Sequence, residues 1–168
     1  MCLEVRRLLS LLYSGKISNE QFIQKYFVGE PMTRQHLSVL LQNALMDKNP
    51  FLVEQVVVLL LSDHIFIKDF TLQLCDLLLV DWHFKHEDIA MLLRDARDPL
   101  AINCLYNASE IIFDYLAYDD TYQFGRKCIK ALSVINDDKA VVKLKLLAES
   151  DIPSIANYAR KELRPKNS

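Results

Sequence analysis

The sequence predicts an all-α protein, on three observations. Its 168 residues include 3 Gly and 5 Pro, too few breakers for the closely spaced turns of a β-sandwich. Apolar residues recur at three- and four-residue spacing along most of the chain. Cap residues stand where such stretches begin. The length suits one compact domain, residues 1–168, whose core needs no metal or disulfide.

The elements follow in order. Cys2–Tyr13 reads as a short helix stopped by Ser14-Gly15. Ser18, with Gln21 at the capping-box position, opens a helix to about Phe27. Thr33 caps a helix carrying Leu37, Leu40, Leu41, Ala44 and Leu45 on one face. Asn49-Pro50 is a cap followed by proline at the first helical position, opening a helix over Phe51–Leu61. Its apolar run Val56–Leu61 fits a buried helix, because its neighbours are helical and no turn signals flank it. Ile67–Val80 is the next helix, then a connection Asp81–Lys85, then a helix over His86–Arg97. Asp98-Pro99 opens a long helix to about Leu116. Helices over Thr121–Val134, Asp137–Glu149 and Ile152–Leu163 complete the chain, ahead of a basic tail at 164–168. Short connections make consecutive helices antiparallel neighbours, in a bundle or a solenoid.

Charge is unevenly placed. Residues 1–48 carry 6 basic and 4 acidic side chains, residues 49–120 carry 4 and 13, and residues 121–168 carry 10 and 5. The central excess of acid projects a field that attracts cations and repels phosphates, so no nucleic-acid partner is expected. The basic groups Arg6, Arg7, Arg160, Lys161, Arg164 and Lys166 read as solvated termini. Met1–Leu12 is interrupted by Glu4, Arg6 and Arg7 and has no leader-like apolar core; the longest apolar run is too short to span a bilayer. Cys75, Cys104 and Cys128 lie among apolar residues and read as buried free thiols. The expected location is therefore cytoplasmic, with no membrane association.

Three groups of residues are candidates for chemistry or binding. His83-x-x-His86-Glu87 lacks a third ligand at close spacing, so a loop histidine and a helix-start histidine are expected, with no metal and no cofactor. Trp82 either plugs a gap between helices or stands as an exposed anchor. The stretch from Phe113 to Tyr122 joins Asp114, Asp119 and Asp120 to Tyr115, Tyr118 and Tyr122. There the carboxylates either cap the next helix or form, with the tyrosines, a recognition surface for Lys and Arg of a partner. No nucleophile motif or phosphate-cradling glycine loop is present, so no catalysis is expected.

One internal repeat is visible. Asp120, Phe124, Cys128 and Leu132 align with Asp151, Ile155, Ala159 and Leu163 at an offset of 31 residues, and Gly125 and Lys130 match Ala156 and Lys161. The aspartates are expected to cap the two helices. This pattern, clearest in Ser150–Leu163, resembles HEAT-like repeats. The resemblance covers Tyr118–Leu163 well and Asn49–Leu116 more weakly. It implies antiparallel helical hairpins over 49–163 stacked as a short right-handed solenoid, behind N-terminal helices at 1–48. The phrase Tyr115-Leu116-Ala117-Tyr118-Asp119-Asp120-Thr121-Tyr122, followed by Arg126-Lys127-Cys128, resembles small bacterial immunity proteins. That resemblance implies a non-catalytic module that occludes a basic nuclease toxin. The partner-binding residues would be Asp81, Trp82, Glu87, Asp88, Asp114, Tyr115, Tyr118, Asp119, Asp120 and Tyr122. Two alternatives stand beside it: a HEAT-like enzyme or lyase with a small-molecule pocket near Trp82, His83 and Asp114, and a structural adaptor with an exposed apolar patch.

Overall fold

The computed structural model describes residues 2–117 and 121–164. Among them the chain forms ten α-helices and three short 3-10 segments, with no strand. It divides into two compact units, Met1–Phe66 and Ile67–Ser168.

The first unit holds α1 (Cys2–Tyr13), α2 (Asn19–Tyr26), α3 (Arg34–Met46) and α4 (Pro50–Ser62). The helix starts are those the caps predict. Ser18 Oγ accepts the Gln21 N–H at 3.2 Å while Gln21 Oε1 accepts the Ser18 N–H at 2.9 Å, a reciprocal capping box. Thr33 accepts from His36 N–H at 3.2 Å, and Asn49 from Phe51 and Leu52 N–H at 3.0 and 3.3 Å. Asn49→Ala is expected to cost about 1 kcal/mol, because both first-turn donors lose their acceptor; urea unfolding measures it.

Helix α4 is buried almost all round, as its unbroken apolar run predicts. It packs on α3 and α2, and α1 packs on α2. Its one buried polar side chain, Gln55, is satisfied twice. Its amide donates to Phe51 O at 3.2 Å, and its Oε1 accepts from Tyr26 OH at 2.7 Å. Burial pushes the Tyr26 hydroxyl up to about 12.

The second unit begins within a 3-10 segment, His64–Phe70. It continues through α5 (Thr71–Leu78), α6 (His86–Ala96), α7 (Ile102–Ala108), α8 (Gln123–Leu132), α9 (Asp138–Leu147) and α10 (Pro153–Leu163). Helix α5 packs on α6 and α7; α7 packs on α8 and α9; α8 packs on α6 and α10; and α9 packs on α10. The core is aliphatic, with Leu74, Leu77, Leu78, Ile89, Leu92, Leu93, Leu105, Ile129, Leu132 and Ile155 closed to solvent.

Four expectations are corrected. The helix expected over Ile67–Val80 forms only from Thr71. There Thr71 Oγ1 bonds Lys68 O at 3.1 Å and Asp98 Oδ2 at 2.9 Å, tying the helix start to the cap of the next segment. The long helix expected from Asp98 to Leu116 does not form. A 3-10 turn at Pro99–Ala101 leads into α7, which ends at Ala108, and a second 3-10 turn occupies Asp114–Leu116. Ser109 Oγ folds back on Tyr106 O at 2.7 Å, and Gly125 of α8 lies so close to Ser109 O that the chain has no room to wind on.

Helix α10 is not capped by its aspartate. Helix α8 starts from Tyr122, whose backbone is left-handed (φ 53, ψ 46) and whose side chain makes no cap; Asp120 lies outside the described residues. Helix α10 starts after Ile152, whose N–H is taken by Ser150 Oγ at 3.2 Å rather than by Asp151. Most apolar repeat positions behave alike: Phe124, Gly125, Cys128, Leu132, Ile155, Ala156 and Ala159 are all buried, whereas Leu163, the match of Leu132, is half-buried.

Finally, Cys75 and Cys104 form a disulfide joining α5 to α7, with Cα atoms 5.5 Å apart, so only Cys128 of the three is a free buried thiol. The expectation that all three stay reduced came from their apolar surroundings, which do not reveal that two of them face each other across adjacent helices. No helix among the described residues is long and apolar enough to cross a membrane.

Candidate functional site

The connection between α5 and α6 turns on two histidines that are both closed to solvent. His83 Nε2 lies 2.8 Å from Leu77 O and His86 Nε2 lies 2.6 Å from Val80 O. A carbonyl only accepts, so both Nε2 atoms carry the proton. The remaining nitrogens are acceptors. His83 Nδ1 takes the Lys85 N–H at 3.1 Å, and His86 Nδ1 takes the Tyr115 hydroxyl proton at 2.8 Å. The pair is thereby fixed as two neutral imidazoles, the state in which every nitrogen is satisfied.

The rings stack at 4.1 Å, and Phe113 covers the other face of His86 at 3.6 Å. Phe124 of α8 closes the cluster edge-on, 5.9 Å from His86 and 5.4 Å from Phe113. Burial lowers both histidines below their ordinary value, although each carbonyl bond opposes it. His86 falls to about 4, with the nearby His83 charge lowering it further and Asp81 acting the other way.

Around this core stand the residues predicted for partner binding. Asp81 and Asp114 are exposed, and neither pairs with a described basic side chain. Glu87 and Asp88 are half-buried and already engaged: Glu87 meets Lys127 at 3.3 Å and Asp88 meets Lys85 at 3.5 Å. Trp82 is half-buried, edge-on to His83 at 5.3 Å, with a plug's contact rather than an isolated anchor's. Tyr115 turns its hydroxyl inward to His86, and the exposed Phe84 ring meets its edge at 5.2 Å. Tyr122 is half-buried. Tyr118, Asp119 and Asp120 lie outside the described residues.

A pocket of about 280 Å³ opens beside the cluster. Phe113, Leu116 and Phe124 supply apolar walls, with Tyr122, Gln123, Glu87 and Lys127 as its polar lining. Trp82, His83 and Asp114 do not line it, so the pocket is not where the enzyme alternative places one. Sequence reasoning missed Phe113, Phe124 and Lys127 as site residues. Phe124 was visible only as a repeat position, and nothing local marks Lys127 as the partner of Glu87 forty positions earlier in the chain. Among the described residues no three His, Cys, Asp or Glu side chains are placed to hold a metal.

These features define an all-α protein whose second unit carries a pocket with aromatic walls beside a neutral histidine stack. No family model, curated protein or solved structure matches the chain.

Proposed function

We propose that the chain is a non-catalytic protein-binding module that uses the acidic corner around His86 to occlude a basic partner domain. The observation that carries the reading is the pair of exposed, uncommitted carboxylates Asp81 and Asp114 beside a pocket with apolar walls. Uncommitted charge steers a basic partner, and an apolar pocket receives its anchoring side chain. Glu87 and Asp88 would exchange Lys127 and Lys85 for cations of that partner. The resemblance to immunity proteins names a nuclease toxin as the basic domain. Both histidines have every ring nitrogen engaged, which supports binding rather than proton-transfer chemistry.

The packing pairs support a HEAT-like reading of the fold. α5–α6, α7–α8 and α9–α10 make three hairpins. The first helices α5, α7 and α9 neighbour one another in turn, as do the second helices α6, α8 and α10.

Affinity purification of the tagged protein at low and high salt, beside Asp81→Lys/Asp114→Lys, tests the function. A single basic protein is expected, bound at least about tenfold more weakly by the variant and associating more slowly as salt rises. Recovery of a small molecule and no protein partner would overturn the reading.

A further inference from the structure

Away from the acidic corner, α8 and α10 enclose a groove of about 250 Å³. Its floor is Ile129, which is buried, and the Tyr158 ring. Arg126, Lys130 and Lys161 stand along its edges against one carboxylate, Glu162. Lys130 Nζ reaches both Glu162 oxygens at 3.1 Å, so the two charges offset each other, with the Lys130 side chain exposed and that of Glu162 mostly covered.

The other two cations are uncommitted. Arg126 lies over the Tyr158 ring at 5.7 Å and reaches Gln123 Oε1 at 3.4 Å; neither contact neutralises it. Lys161 is exposed, and the exposed Arg160 and Arg164 add charge on the same helix end. Tyr158 is held in place by donating its hydroxyl to Thr121 O at 2.7 Å, so the aromatic part of the floor is fixed. Lys130 and Lys161 are equivalent positions of the 31-residue repeat, which is why both meet this one groove.

We propose that the α8–α10 groove is a second docking site, and that it binds a short acidic protein segment carrying an apolar side chain. Its excess of two positive charges calls for carboxylates, and the half-buried Tyr158 ring calls for one apolar contact between them. A continuous phosphate backbone fits less well. The groove is short, and its floor includes the Tyr158 ring. The groove lies apart from Asp81 and Asp114, so the inference does not depend on the acidic corner.

The test titrates a labelled peptide of Asp and Glu with one central Leu, and a single-stranded oligonucleotide of similar length, onto the full chain. The peptide is expected to bind saturably, with affinity falling as salt rises. Arg126→Glu/Lys161→Glu should weaken it at least about tenfold, and Arg126→Ala/Lys161→Ala by an intermediate factor. Circular dichroism establishes that both variants are folded, and Asp81→Lys/Asp114→Lys should keep the peptide. The absence of saturable binding, equal binding by the folded double variants, or tighter binding of the oligonucleotide would overturn the proposal.

Discussion

Lowering the pH from 6.5 to 4 is expected to remove roughly 3 kcal/mol of stability through His86 alone. The unfolded imidazole takes its proton near 6.5, whereas the folded one resists until about 4. Between these values the unfolded state binds a proton that the folded state refuses. The stabilisation is therefore complete above 6.5 and is lost as the pH falls toward 4. His83, lowered for the same reason, acts in the same direction.

The geometry says why the proton is refused. His86 is closed to solvent, its Nδ1 already accepts from Tyr115, and its ring faces a second imidazole at 4.1 Å. Urea unfolding at a series of pH values measures the effect. His86→Gln keeps a donor for Val80 O and an acceptor for Tyr115, and should flatten the slope by one proton, about 1.4 kcal/mol per pH unit. A wild-type protein equally stable at pH 7 and pH 4.5, or a variant with the full slope, would sink the account.

Gly125→Ala is expected to destabilise the second unit by about 2 kcal/mol, against the usual gain from alanine in a helix. A Cβ at this position would overlap the backbone oxygen of Ser109 and meet Ile155 Cδ1 at 2.5 Å. The methyl of Ile155 can turn away. The carbonyl can move only if the end of α7 moves with it. Relief would shift α8, and with it Phe124 and Lys127, which line the pocket. Thermal unfolding reads the stability. A stabilised Gly125→Ala protein would show that α7 and α8 are not clamped by this contact.

The caps were legible in the sequence because their chemistry is local. Ser18, Thr33, Asn49 and Asp98 each accept the N–H that their position predicts. The buried all-round α4 was legible for the same kind of reason, an apolar run between helical neighbours. What failed was decided by distant residues. The break after Ala108 depends on Gly125, and the late start of α5 depends on Asp98. At the repeat, most of the apolar spacing survived because packing needs it, while the Asp151 cap did not form, because Ser150 takes the N–H at the start of α10.

The site shows the same division. Exposure of Asp81 follows from its place in the expected connection Asp81–Lys85. That His86 would seize Tyr115, 29 positions on, does not. Nor does a count of charge show that Glu87 and Asp88 are already matched with lysines.

Cys128 gives the protein a built-in clock. Its thiol is fully enclosed, and burial, aided by the nearby Glu87 charge, raises it far above its ordinary value. A thiolate-seeking reagent therefore meets nothing until α8 is released from its neighbours. In a Cys2→Ser background the rate of alkylation at this one sulfur counts those releases, without any added label. Because α8 also carries pocket and groove residues, the same rate would slow when either surface is occupied.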